Sequence, residues 1–254
     1  MKNIKEQKTV LLFLTKNARN VFISVILLFI LVVYFVPPLS YAIGNVFFGE
    51  ARSLYNVRLA QFFYKTSVSP IFSSLPPRYA HHQLSRTYFI QGRLGKALEE
   101  AKKELETYPD DTTTYYILGL TYGYMNREME AIDAFSRYIG THPGTWAARN
   151  DKAWLQFRIG DIDGALETIK PAVGMFARNV WVQNTYCALL LNKKDFVGAK
   201  EACLRAKETA EAMTEESWGM AYPGNDPRIY GTGLKAMKIS IEQNLKLIQD
   251  AGAK

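Results

Sequence analysis

The amino-acid sequence predicts an all-α chain in which an N-terminal transmembrane helix leads into an α-solenoid of about four helix-turn-helix repeats, closed by a C-terminal capping helix. Three observations predict it. Residues 21–36, VFISVILLFILVVYFV, are apolar except for Ser24. Ala97, Ala131, Ala165 and Ala199 recur at intervals of 34 residues in comparable surroundings, GRLGKALEEA, NREMEAIDAF, GDIDGALETI and KKDFVGAKEAC. Near the end, Leu234, Met237, Ile241, Leu245 and Ile248 share one face of a helical register.

The first element is a basic tail, residues 1–20. With 254 residues, 48% hydrophobic and 22% charged, the chain can bury a sizeable core. Of its net charge of +7, the tail contributes +4, from Lys2, Lys5, Lys8, Lys16 and Arg19 against Glu6, which leaves +3 elsewhere. A near-neutral body without an arginine-aromatic motif lacks the footprint of a nucleic-acid binder, so no nucleic-acid partner is expected.

The tail instead orients the apolar segment after it. The transmembrane anchor is assigned to residues 21–41. Sixteen helical residues reach about 24 Å against a hydrocarbon core of about 30 Å, and the flanks complete the span. Tyr34, Phe35, Tyr41, Phe47 and Phe48 supply an aromatic belt. Five cations precede the segment and only Arg52 follows within twenty residues, which places the N-terminus in the cytoplasm and the bulk of the chain beyond the inner membrane. A cleaved signal is the rival reading, with the small residues Ser40 and Ala42 of LSYA at a processing site. The length of the apolar run and the apolar patch Val10–Leu14 inside the leading region favour a retained anchor.

Residues 42–76 are read as a juxtamembrane amphipathic helix and linker, with Ala51, Leu54, Tyr55, Leu59, Phe62 and Phe63 along one stripe. Its expected role is to cap the first repeat; docking on another membrane protein is the alternative.

Residues 78–211 hold the four repeats. The second unit has Tyr115, Leu118, Gly119, Tyr122, Ala131, Phe135 and Pro143. The first has Leu84, Ser85, Tyr88, Ala97 and Pro109, with His81 and Ala101 at positions that are large and aromatic in the second. The third keeps Ala153, Gly160, Ala165 and Ile169 but places Arg149, Lys152 and Gln156 where apolar residues are expected. The fourth has Tyr186, Cys187, Leu190, Ala199, Cys203 and Ala206. This 34-residue pattern resembles the tetratricopeptide repeat family. Two antiparallel helices per unit approach closely where small residues meet, at Ser85/Ala97, Gly119/Ala131, Ala153/Ala165 and Cys187/Ala199. Pro109 and Pro143 cannot continue a helix and start the turn to the next unit. Because no unit buries its own apolar face, the units stack into one continuous core.

Residues 212–233, rich in Gly and Pro, are read as a loop, and 234–254 as the capping helix and tail.

Little in the chain suggests catalysis. GRLGK, Gly92–Lys96, lacks both the glycine spacing and the Ser/Thr of a phosphate loop. DIDG, Asp161–Gly164, lacks the spacing and terminal Glu of a calcium loop. His81 and His82 are adjacent on a helix and His142 precedes a turn proline, a poor set for a metal. No Ser or Cys has a recognisable base partner. The expectation is a non-enzyme with no catalytic residues, no metal, no cofactor and no small-molecule substrate. Cys187 and Cys203 point into one core. By the family's helix pairing Cys187 faces Ala199, a turn away from Cys203, so buried free thiols are expected rather than a disulfide.

The resemblance also implies a binding groove lined by the first helix of each unit. Its positions fall on Tyr79, His82, Arg86 and Phe89; Thr113, Tyr116, Leu120 and Gly123; Ala147, Asn150, Trp154 and Phe157; Trp181, Asn184, Ala188 and Leu191. Of these, Tyr79, His82, Arg86, Phe89, Tyr116, Leu120, Asn150, Trp154, Phe157, Trp181 and Asn184 are the candidate partner-binding residues. The paired lysines with which relatives clamp a C-terminal carboxylate are missing. The implied function is a membrane-anchored scaffold or adaptor that binds protein partners in a membrane or envelope complex. A periplasmic holdase beside a translocation channel and an accessory subunit of a membrane enzyme are the alternatives.

Overall fold

The computed structural model describes residues 2–49, 53–72, 75–222 and 226–252, and for 2–17, 31 and 33 the backbone alone. Ala51 and Arg52, and the side chains of residues 2–17, Val10–Leu14 among them, lie outside the described residues. Among the described residues there are twelve α-helices and no strand.

The four expected units are helix pairs: α3 (Ala80–Ile90) with α4 (Leu94–Thr107), α5 (Thr114–Tyr124) with α6 (Glu128–Thr141), α7 (Trp146–Arg158) with α8 (Ile162–Met175), and α9 (Val180–Asn192) with α10 (Phe196–Ala212). Each second helix packs on the first helix of the next unit, and successive first helices touch. The small residues sit at the crossings. Ala97, Ala131, Ala153, Ala165 and Ala199 are fully buried, and Ser85 Oγ donates to the Ala97 carbonyl at 2.7 Å. At Gly119 an added Cβ would lie 2.7 Å from the Phe135 ring, so only glycine lets α5 seat on α6 there. Helices α4 and α6 stop two residues before Pro109 and Pro143, because a residue preceding proline is driven from the helical region.

The period also runs through the backbone. The turn inside each unit contains one residue with positive φ, at Gly92 (72°), Asn126 (55°), Gly160 (84°) and Lys194 (62°), spaced like the alanine ladder. Gly and Asn adopt this left-handed conformation readily, whereas Lys194 does so against its Cβ.

In the third unit two of the polar residues at apolar positions, Gln156 and Arg149, are satisfied by hydrogen bonds. Gln156 donates to Asp161 at 2.9 Å and accepts from Thr168 at 2.7 Å, and Arg149 donates to the Pro143 and Thr168 carbonyls.

Three features differ from the sequence reading. First, α1 (Lys2–Gly49) runs unbroken through Pro37 and Pro38, so residues 42–49 belong to the same helix as the apolar run rather than to a separate juxtamembrane element. Its upper end packs on α2 (Leu54–Ser67), which offsets the two missing amide donors. The Tyr64 ring lies where a Cβ on Gly44 would be, its hydroxyl donates to Asn45 at 2.8 Å, and Phe63 stacks on Phe47 at 5.7 Å. The pair is a fifth hairpin resting on α3. Second, α2 buries Val57, Ala60, Gln61, Tyr64 and Ser67, not the expected stripe. Tyr55 and Phe62 are 69% and 62% exposed, because seating Tyr64 on Gly44 turns them outward. Third, the expected loop contains a helix, α11 (Glu215–Ala221), started by a capping box between Thr214 and Ser217. A 3-10 turn at Pro227–Ile229 then leads into α12 (Tyr230–Gly252), which covers α10 with Leu234, Ile241 and Ile248 buried.

Cys187 and Cys203 form a disulfide, against the expectation of free thiols. With Ala199, Ala202 and Ala206 along the facing stripe of α10, the helices approach until the two Cα atoms are 5.3 Å apart, inside the range a disulfide spans.

Candidate functional site

The first helices of the units form one face of the solenoid, and the candidate residues divide into two halves along it. In the half towards α1, His82, Arg86, Tyr116 and Leu120 line a cavity of about 200 Å³ together with Tyr138 and Ala147. Beside it, Leu120 and Trp154 line a second cavity of about 360 Å³ with Gly123, Tyr124, Asp151 and Arg158. Tyr79 starts α3 in the left-handed conformation. Its N–H and that of His82 are capped by the buried Glu104 of α4, at 2.6 and 3.2 Å. Phe89 is buried edge-on against Tyr124, and Phe157 packs on Trp154. Trp154 itself is 45% exposed.

The chemistry of this half is set by Arg86. Its guanidinium lies 4.5 Å from the Phe48 ring centre and donates to Gln83 Oε1 at 2.9 Å. Tyr64, Tyr116, Tyr138 and Tyr41 lie within electrostatic reach of it, and burial lowers its pKa. Among the described residues no carboxylate pairs with it. His82 is neutral: burial, then the Arg86 charge, holds its pKa down to about 3. Thr114 Oγ1 donates to Asp111, so its contact with His82 Nδ1 at 3.0 Å is accepted from the ring N–H. A cation in a low-dielectric pocket with a neutral imidazole and phenols around it attracts an anion strongly.

The other half is occupied by the chain itself. Trp181 is only 9% exposed. Its ring stacks on Trp146 at 5.5 Å and packs against Trp218 of α11 at 5.6 Å and Tyr222 at 5.2 Å. Asn150 accepts from Thr185 at 2.8 Å and donates to the Tyr222 hydroxyl at 3.5 Å. Asn184 accepts from Asn244 of α12 at 3.4 Å. Trp181 and Asn150 are therefore covered by the chain's own residues, and Asn184, partly buried, is bonded to α12. Trp146, Trp218, Tyr222, Tyr138 and Asp151 were missed in the sequence. The aromatic pair Trp218 and Tyr222, four residues apart behind a Thr214–Ser217 cap, was the one signal for them.

Asp151 joins the halves. The Tyr222 hydroxyl donates to one of its oxygens and Tyr116 donates to the other at 3.3 Å. Burial raises its pKa to about 7, against the lowering by Tyr116 and Asn150. The folded protein thus holds a proton here that the unfolded chain, at the ordinary 3.8, has released. Stability from this group is fully present below pH 4 and falls as pH rises towards about 7, by on the order of 4 kcal/mol. Asp151→Asn should remove that slope, gaining on the parent protein between pH 5 and 8 in pH-resolved thermal melts. Parallel melting profiles would contradict this.

Among the described residues no group of three or more His, Cys, Asp or Glu side chains is placed to hold a metal ion.

The architecture, a stack of antiparallel helix pairs with a lined face, defines an α-solenoid. Among solved structures it is similar to PilF of Pseudomonas aeruginosa (14% identity, TM-score 0.60, covering 86% of this chain and 97% of that one). It is similar to PilW, a type IV pilus biogenesis factor (14%, 0.59, 85% and 92%). It is also similar to YrrB, a tetratricopeptide repeat protein with an unusual peptide-binding site (15%, 0.55, 68% and 86%). The fold is the tetratricopeptide solenoid. No family model and no curated protein matches the sequence.

Proposed function

We propose that this chain is a non-enzymatic adaptor, held in the inner membrane by α1 with its N-terminus in the cytoplasm and its solenoid on the far side, and that the open half of its groove binds a segment of a protein partner in an envelope complex. The apolar helix 18–49 is long enough to cross a membrane, and its exposed residues from Val21 to Ile30 are apolar except for Ser24. The Cys187–Cys203 disulfide supports an oxidising, extracytoplasmic location for the repeats. Likeness to a pilus biogenesis factor and to a protein with a peptide-binding site supports the adaptor reading.

The observation that carries it is Arg86, an enclosed guanidinium facing a cavity and with no carboxylate partner among the described residues. Burying an unpaired charge costs several kcal/mol, a cost that a partner's acidic group would offset on entering. The neighbouring cavity, floored by Leu120 and walled by Trp154, takes an apolar side chain of the same segment. Trp154→Ala should lower partner binding by about 2 kcal/mol or more with little change in the melt, since the ring is half exposed. Arg86→Met should leave the melting temperature unchanged or raised and also weaken binding. Both are read by a thermal melt and by affinity capture from membranes in mild detergent, with Val197→Ala, exposed elsewhere, as control. Undiminished capture by both variants would refute the groove.

A further inference from the structure

The hairpin of α1 and α2 carries the loop after α2 back down to the level at which α1 leaves the bilayer. We infer that this loop, led by Ile71, inserts into the outer lipid interface as a second membrane contact beside the anchor; the inference rests on the reading of α1 as a retained anchor.

The geometry follows from helix rise. At about 1.5 Å per residue, a hydrocarbon core of about 30 Å that begins after Arg19 ends near Leu39. Because α1 continues to Gly49 without a break, the hairpin stands directly on the membrane surface. Helix α2 runs back alongside it, with Tyr64 at Gly44 and Asn45, and descends to the buried Ser67. Pro37 and Ser40 of α1 are buried as well, so packing against α1 reaches the level of Leu39. The loop turns there, with Ser69 N–H donating to Thr66 O at 3.3 Å and Phe72 N–H to Ser69 O at 3.1 Å.

The chemistry of the loop matches that depth. From Thr66 to Pro77, TSVSPIFSSLPP, there is no charged residue, while Lys65 and Arg78 flank the stretch. Ile71 is 78% exposed, the most exposed large apolar side chain among the described residues. Pro70 has no amide hydrogen to leave unpaired in lipid. The uncharged tip thus meets the acyl boundary, while the flanking cations are held on the solenoid, Lys65 over the Tyr88 ring at 5.6 Å and Arg78 paired with Asp110 at 2.9 Å. A second contact limits the tilt of the solenoid against the membrane surface, which a single spanning helix leaves free.

The test uses the full chain in liposomes of phosphatidylcholine and phosphatidylglycerol. Both native cysteines are in the disulfide, so Ile71→Cys, Leu28→Cys and Val197→Cys each offer one thiol for a polarity-sensitive fluorophore. Lipids spin-labelled near the headgroup or near the bilayer centre then report depth. Expected are strong quenching at 28 by the deep label, quenching at 71 several-fold above that at 197 by the shallow label, and a blue-shifted emission at 71. A quenched probe at 28 with the probe at 71 indistinguishable from 197 overturns the loop contact and leaves the anchor standing. An unquenched probe at 28 overturns the anchor and the loop contact together.

Discussion

Trp181→Ala lowers the stability of the solenoid by about 3–5 kcal/mol, the cost of a large aromatic cavity that its surroundings cannot close. The ring is 9% exposed and meets Trp146, Trp218 and Tyr222, each at 5.2–5.6 Å between centres. It is the piece through which α7, α9 and the segment around α11 share one cluster. Collapse is hindered because the Trp146 and Trp218 rings are themselves anchored on different helices. Equilibrium unfolding in urea measures the loss, and limited proteolysis should cut the 213–222 segment earlier in the variant than in the parent chain. A loss below about 1 kcal/mol, the scale of ordinary surface substitutions, would mean that the cluster does not hold this end together. Trp154→Ala, with a ring of the same size that is half exposed, provides the comparison.

Breaking the Cys187–Cys203 disulfide costs about 3 kcal/mol, the chain-entropy value for a short closed loop at its sequence separation of 16. Two measurements separate this from a pair of free thiols. Denatured protein should take up no alkylating reagent until a reductant is added, and the urea midpoint should drop when reduction precedes unfolding. Uptake of two equivalents by unreduced, denatured protein would show the thiols to be free. Since both cysteines are fully buried, the bond is shielded from exchange in the folded protein.

Much of the fold was legible because repetition writes the same physics several times. Each alanine of the ladder marks a crossing where only a small residue fits, and each small residue needs a large neighbour at a fixed offset. The repeats could therefore be placed from residue types alone. The capping stripe Leu234, Ile241 and Ile248 was legible for a related reason, as an unbroken helical period on one face. The hairpin of α1 and α2 was not. Gly44 and Tyr64 stand 20 residues apart where Gly119 and Phe135 stand 16 apart, so the longer connection breaks the register on which the period depends.

The candidate groove was legible as a set of positions but not as a surface. Position within a repeat determines which way a side chain leaves its helix, and so His82, Arg86, Tyr116, Leu120 and Trp154 do share one face. Whether that face is open depends on a segment more than thirty residues further along the chain. The fit of Trp218 and Tyr222 against Trp181 depends on ring shapes meeting in space and leaves no periodic trace in the sequence. The disulfide is of the same kind: small residues along α10 showed that the helices approach, but the few ångströms that separate a bonded pair from two buried thiols are set by how tightly the helices close. The repeated helix pairs, their stacking and the apolar N-terminal helix thus follow from residue types alone, because local period and residue size dictate them. The tertiary structure alone decided which half of the groove is filled, that the cysteines are joined, and that the apolar helix continues into a fifth hairpin, because each depends on contacts between residues whose spacing follows no period.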